Sequence, residues 1–351
     1  MKHKLALIGF GTVGQGLCEI LLQKENELIH TYGFEWEIVA ISDMLKGSVY
    51  SPQGLDIKKI LILAKNGQSI EETDQPGVQK GWDALKTIRE SNADIICEMT
   101  YTDIKSGQPA SDHCRAALEN GKHVVTSNKG PAALYYRTLS ELAAKNHVQF
   151  MIEGTVMSGT PVLNLARNEL AGNSILAIRG ILNGTTNYIL TRMEEGLSYE
   201  KALKQAQELG YAEADPTADV EGLDALAKVT ILTNVLMNGR VTPADIPCKG
   251  ISQITLQDIE QARQEGKRWK LIGEIRQEKG TLQASVAPMK IDLSHPLAGV
   301  NGAINAITFT TDLMGNVTII GAGAGKIETG YSILTDMLEI HRLVQSQEKL
   351  V

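Results

Sequence analysis

Between Gly210 and Lys228 the chain reads GYAEADPTADVEGLDALAK, which sets five carboxylates (Glu213, Asp215, Asp219, Glu221, Asp224) and a lysine within nineteen residues. Asp224 and Lys228 are four positions apart, so on a helix they share one face. The apolar run VTILTNVLMNG follows directly. A helix that buries Val229, Leu232 and Leu236 holds such a pair rigidly at its mouth. Acids and an ammonium arranged this way suit a small polar substrate that carries both charges and a hydroxyl. Taken alone, the Asp224–Lys228 pair reads equally as an exposed ion pair worth about 0.3–0.5 kcal/mol. Glu213 and Asp219 read equally as loop solvation and a helix cap.

A second constellation lies at the start of the chain. Gly9-Phe10-Gly11-Thr12-Val13-Gly14 is a G-x-G-x-x-G sequence after an apolar strand and at the opening of a helix. Gly9 permits the tight turn, Gly11 lets the backbone approach a pyrophosphate, and Gly14 lets helix and strand pack closely. The helix N-terminus favours the phosphate charge. Asp43 follows the second strand, where an acid bonds the ribose 2′-OH of NAD, although it also suits a simple turn. Lys46 lies close enough in sequence to receive a 2′-phosphate instead. NAD is favoured over NADP, and dual use is compatible. The later cluster Gly321-Ala-Gly323-Ala-Gly325-Lys326 is not a P-loop. It is one residue short, and Ile327 stands where a magnesium-binding Ser or Thr is needed. It reads as a close backbone turn into the last helix, with Gly325 against the cofactor.

The elements that must carry these residues follow from periodicity. KLALIG (4–9), EIVAIS (37–42), ADIICEMT (93–100) and HVVTSN (123–128) read as strands, with helices over Val13–Lys24, Leu55–Lys65 and 112–120. This alternation predicts a parallel sheet with helices on both faces, an α/β Rossmann-type domain. Residues 44–80 are less regular, and Glu71–Gly77 reads as a solvated loop. After the strand VQFMIEGT (148–155) the pattern changes. A helix-rich stretch runs from Thr160 to about Glu265, followed by the strand candidates RWKLIGEI, TLQASVAPM, NAITFTT and NVTIIG. The expectation is an α+β catalytic and dimerisation domain over 153–324, its sheet open to self-association. A dinucleotide-binding domain is expected over 1–152, to which the C-terminal segment 325–351 returns.

Composition bounds the function. With 351 residues, 43% hydrophobic and 21% charged, the chain has core material for two ordinary domains. A net charge of −7 argues against a nucleic-acid or anionic-membrane surface. Cys18, Cys97, Cys114 and Cys248 are scattered without a CxxC pair, and the histidines show no metal-ligand spacing. A reducing, cytoplasmic setting fits, without signal peptide or membrane span.

Six segments in order resemble homoserine dehydrogenase along nearly the whole chain: GFGTVGQG, HVVTSNKGP (123–131), EGTVMSGTP (153–161), GILNGTTNYIL (180–190), GYAEADPTADVEGLDALAK and GAGAG (321–325). The resemblance implies NAD(P)-dependent interconversion of L-homoserine and L-aspartate 4-semialdehyde, within threonine, methionine and isoleucine biosynthesis, by a homodimer. It matches Glu213, Asp219, Asp224 and Lys228 to substrate-binding and catalytic positions. It matches Lys129 to a lysine between cofactor and substrate, and Thr100 to a cofactor contact. Glu153, Val156, Ser158 and Thr160 match a sodium or potassium loop that uses mainly backbone carbonyls. Met157-Ser158 departs from the small or glycine residues common there, and Ala132-Ala133 from the usual continuation after the lysine.

Oxidising a primary alcohol needs hydride loss to nicotinamide and proton loss from the hydroxyl. Lys129 and Lys228 both qualify to relay that proton. Asn183 and Asn187 bracket a strand-to-helix turn and read as supporting the shape of the site, not as catalysts. Three alternatives stand beside this reading. One is a relative acting on another amino or hydroxy acid. Another is an aspartate-semialdehyde dehydrogenase, which needs an activated cysteine. The third is a dinucleotide-binding sensor without turnover.

Overall fold

The computed structural model describes residues 2–278 and 280–348. The chain divides into two compact units, Met1–Thr155 with Gly325–Val351, and Val156–Ala324.

The first unit is built on seven strands: β1 (Lys2–Ile8), β2 (Glu35–Asp43), β3 (Gly47–Tyr50), β4 (Gln79–Lys80), β5 (Ile95–Glu98), β6 (His123–Thr126) and β7 (Phe150–Met151). Their order is β4-β3-β2-β1-β5-β6-β7. The stretch β2-β1-β5-β6-β7 is parallel, as the alternation predicts, with Leu5 opposite Ile38 on one side and Ile95 on the other. β3 and β4 are antiparallel additions at the β2 edge, formed inside the region that lacks a clear period. The sequence order reverses at β1, between β2 and β5. Ligands of such sheets bind at that point, outside the carboxyl ends of the strands.

The first helix is longer than its apolar pattern suggests, running over Thr12–Tyr32. Its added turns are polar helix formers anchored by Leu28, and it stops where Gly33 takes a left-handed φ of 66°. The C-terminal helix, Lys326–Glu348, packs on it. A Cβ on Gly330 would lie 2.7 Å from the backbone nitrogen of Leu17, and one on Gly16 would strike the carbonyl of Lys326. Both glycines therefore serve a close helix crossing. Glu19 clamps it by accepting Lys326 and Lys65, each at 2.7 Å. Leu17, Leu21, Ile333 and Met337 close the core beneath.

At the far end of that crossing His3 and His341 meet at 2.8 Å in a buried contact against Phe34. Burial, and next the neighbouring His341, hold the His3 pKa down at about 4. An unfolded His3 takes up its proton near its ordinary value of 6.5. The unfolded chain therefore binds more protons between pH 6.5 and 4, and stability falls as pH drops through that window. Each unit of that difference is worth about 1.4 kcal/mol. The expected result is a melting temperature that declines from pH 6.5 to 4.5 in the wild type and declines less in His3→Gln, read by calorimetry.

The second unit carries β8 (Ile175–Ile181), β9 (Lys267–Glu278), β10 (Thr281–Asp292), β11 (Ile304–Thr311) and β12 (Gly315–Ala322), ordered β10-β9-β8-β11-β12 and antiparallel throughout. β8 is a correction to the helix-rich expectation for 160–265. ILAIRGI is the central strand of the sheet, paired with β9 and β11. A short apolar run of this length has no period that separates a buried strand from a buried helix. The helix Leu223–Leu236 covers one face, where Val229 reaches the position a Cβ on Gly273 would occupy. Its residues from Ala225 to Thr233 are all buried, so it is covered around its whole circumference, Lys228 included.

Candidate active site

In the first unit, four segments leave the carboxyl ends of adjacent parallel strands. They are the glycine turn after β1, Asp43 at the end of β2, Thr100 after β5 and Lys129 after β6. The three glycines do different work. Gly9 has φ 96°, and a Cβ there would lie 2.5 Å from the carbonyl oxygen of Met99. A Cβ on Gly14 would lie 2.7 Å from the carbonyl oxygen of Gly9, so this glycine permits the helix to start against the strand. A Cβ on Gly11 would meet nothing within 4 Å. No clash among the described residues asks for glycine at 11, and the open space there leaves room for a ligand against the backbone. This cradle fits a pyrophosphate, with the helix Thr12–Tyr32 opening directly behind it and no side chain capping its first amides. Phe10 is buried, Val13 half-buried and Thr12 exposed.

Asp43 is committed to the same turn. One carboxylate oxygen accepts the Phe10 N–H at 2.6 Å, and the other accepts the N–H groups of Leu45 and Lys46, both at 2.9 Å. The acid therefore braces the glycine turn as well as standing where a ribose hydroxyl would be read. Gly325 opens the C-terminal helix with φ 145°. Lys129 begins the short helix Lys129–Leu134, capped by the Asn128 side chain.

In the second unit the acidic segment and the NGTT turn converge. The helix Leu223–Leu236 starts at Gly222, whose φ of 79° suits glycine. Asp224 lies in its first turn, where the helix dipole favours a carboxylate. Its Oδ2 accepts from Lys228 Nζ at 2.7 Å and from Asn183 Nδ2 at 3.0 Å. Asn183 Nδ2 also donates to Asp219 Oδ1 at 2.7 Å. The Asn183 Oδ1 accepts Thr186 N at 2.9 Å and so caps the helix Gly184–Glu194. Asn183 is thus the joint of the site, a larger part than the supporting role in the site's shape that the sequence suggests. The clue was its place between an apolar strand and a helix that begins Gly-Thr-Thr.

Lys228 is 5% exposed, which removes the reading of an exposed surface pair. Its ammonium donates to Asp224 and to the Leu182 carbonyl, also at 2.7 Å. That leaves one N–H without a protein partner among the described residues. The Asp219 pKa is raised, mainly by burial; the Asn183 hydrogen bond opposes this and the Asp224 charge adds to it. Glu213 stands on the exposed loop outside the cluster, and its backbone carbonyl accepts from Gln207 at 3.1 Å.

The segment 153–160 is strained. Met157 and Ser158 have φ of 58° and 54° in succession, although neither is glycine and both are buried. The positions where the sequence departs from small or glycine residues are those whose backbone prefers glycine. Such strain persists where the surroundings over-determine it. Glu153 donates its N–H to Asp336 at 2.9 Å, Val156 is fully buried, and Thr160 Oγ1 donates to the Ala322 carbonyl at 3.0 Å. Among the described residues no group of three or more His, Cys, Asp or Glu side chains could hold a metal ion. A site made of backbone carbonyls is a different matter.

Two family profiles match the chain. "Homoserine dehydrogenase, NAD binding domain" covers residues 9–153, and "Homoserine dehydrogenase" covers residues 161–338. The chain belongs to the homoserine dehydrogenase family. It is 47% identical to an NAD(+)-dependent homoserine dehydrogenase of Pseudomonas canavaninivorans, over 97% of each chain. Among solved structures it resembles a putative homoserine dehydrogenase of Archaeoglobus fulgidus (TM-score 0.86, 37% identity, 96% of this chain and 99% of that one). It also resembles a hyperthermophilic archaeal homoserine dehydrogenase in complex with NADPH (TM-score 0.81, 29% identity, 97% and 98%). In this family member the glycine turn belongs to the NAD-binding domain, and the chain is an NAD(P)-dependent oxidoreductase. All four thiols are pushed up in pKa, first by burial, which removes the activated cysteine that an aspartate-semialdehyde dehydrogenase needs. No helix among the described residues is long and apolar enough to cross a membrane.

Proposed function

We propose that this chain oxidises L-homoserine to L-aspartate 4-semialdehyde, and runs the reverse reduction, with NAD or NADP. The observation that carries the reading is the Asn183-centred cluster, in which Asn183 ties Asp219 and Asp224 together beside a buried lysine whose third N–H has no protein partner among the described residues. The nicotinamide cofactor accepts the hydride when bound. Asp219, and Glu213 from its loop, supply the negative charge for the substrate's α-ammonium. The remaining donor of Lys228 meets the hydroxyl oxygen and stabilises the charge that develops on it. Asp224 holds the Lys228 ammonium in line by a charge-assisted bond. In the oxidation the hydroxyl proton passes to Lys129 or Lys228 in its neutral amine form, since an ammonium has no lone pair to accept it, and the protonated lysine returns it in the reduction. Steady-state turnover of homoserine, with NAD varied against NADP, tests the reading, and an absence of turnover with both cofactors refutes it.

Two further parts belong to the same proposal. Glu153, Val156, Ser158 and Thr160 form a monovalent-cation loop. The carbonyls of a strained backbone are its ligands, so potassium or sodium is expected to raise turnover or melting temperature relative to a tetramethylammonium buffer, and equal values in all three buffers would remove the cation. The chain works as a homodimer through the sheet of the second unit. Supporting this, Leu313 and Met314 at the tip of the β11–β12 hairpin, and Ile304 and Ile320 on one face of it, are exposed apolar side chains. Sedimentation at micromolar concentration reads the mass directly.

A further inference from the structure

Glu98 is an ionisable residue at the end of a wholly apolar strand, and it is fully buried. An unpaired carboxylate there would cost several kcal/mol, so its partners are informative. Its Oε1 accepts both the N–H of Thr100, at 3.2 Å, and the Thr100 hydroxyl. Its Oε2 lies 3.1 Å from the Thr126 hydroxyl, which is also 2.8 Å from the Glu98 backbone carbonyl. His113 Nδ1 stands 3.5 Å from Oε1.

The bonds continue beyond the carboxylate. Thr126 Oγ1 accepts the Asn128 N–H at 2.9 Å. The Asn128 side chain accepts the Gly130 N–H at 3.0 Å and donates to the carbonyls of Thr100 and Tyr101, at 3.2 and 2.9 Å. Thr126 and Asn128 are buried as well. A closed circuit of hydrogen bonds thus ties the segment leaving β5 to the segment leaving β6, and the peptide it grips on both sides is that of Lys129. Gly130 is needed for this grip, since a Cβ there would lie 2.9 Å from the Asp103 carbonyl oxygen.

We propose that Glu98, Thr126 and Asn128 are positioning residues that set the backbone of Lys129, and with it Thr100, before any ligand arrives. The inference rests on the assignment of Lys129 to the site given above. Every donor in the circuit is satisfied within the first unit, so the arrangement is preformed, and small displacements of a reacting group are costly, about 10²-fold in rate for 1 Å.

The test uses the full chain and compares Thr126→Val, which keeps the shape and removes the hydroxyl, with Thr126→Ser, which keeps the hydroxyl. Thr126→Val is expected to lower kcat at least about tenfold with the NAD dissociation constant nearly unchanged. In the ligand-free protein it is also expected to speed amide exchange at Asn128–Gly130. Thr126→Ser is expected to restore both. Wild-type kcat and exchange in Thr126→Val, or equal damage in both variants, overturns the circuit. Lys129→Ala, measured alongside, separates the layers. If it loses turnover while Thr126→Val does not, the circuit alone fails. If it turns over like wild type, the assignment of Lys129 fails and the circuit with it.

Discussion

Lys228→Ala is expected to lower kcat for homoserine by about 10²–10⁴-fold, the range for removal of a group that handles a proton in the transition state. NAD affinity should stay near wild type, because the glycine turn, Asp43 and Thr100 belong to the other unit. The substitution also takes one donor from a partly buried Asp224, which keeps its bond from Asn183, and one from the Leu182 carbonyl, so some stability is lost with it. Asp224→Asn separates the two effects: it keeps the shape and an acceptor for Lys228 while removing the charge, and it is expected to lower kcat at smaller cost in melting temperature. Turnover of Lys228→Ala near the wild-type rate would reassign the proton to Lys129 and leave Lys228 a structural ion pair.

Gly11→Val is expected to abolish cofactor binding at a far smaller cost to the apo protein than a side chain at Gly9 or Gly14. The contrast within one motif makes this sharp. At Gly9 and Gly14 an added Cβ runs into backbone at 2.5 and 2.7 Å, so substitution there damages the fold itself. At Gly11 it enters open space, so most of the damage appears when a pyrophosphate approaches. Melting temperature without ligand and calorimetric titration with NAD distinguish these positions. A Gly11→Val protein that binds NAD with unchanged affinity would move the cofactor away from this turn. Asp43 substitutions read less cleanly, because its carboxylate also holds the Phe10 N–H and the turn at Leu45 and Lys46. A change in NAD-over-NADP preference there would come mixed with loosening of the glycine turn.

Much of this was legible in the residues because it is local. The glycine spacing after β1, the alternation that makes a parallel sheet, and the i,i+4 acid–lysine pair all depend on neighbours within a few positions. What escaped depends on distant partners. β8 is a strand because β9 and β11 flank it, and its own seven residues carry no period that says so. Asn183 looks like a turn former until Asp219 and Asp224 are brought to its amide. Met157 and Ser158 showed as a departure from pattern in the sequence, and only the backbone angles explain why the position resists side chains. Glu98 carries a signal of its own, an acid that closes the apolar run IIC.

The crossing of the first and last helices has a consequence for how the chain is made. Gly16 and Gly330, like His3 and His341, are partners more than 300 residues apart in the chain. Ribosomal synthesis delivers amino-terminal segments first. The nucleotide-binding sheet therefore emerges early with Leu17 and Leu21 uncovered, waits while the whole second unit is produced, and is sealed only when Ile333 and Met337 arrive. Long-range closures of this kind are slow. Until then the apolar face of the first helix is the surface that a nascent chain has to keep from aggregating.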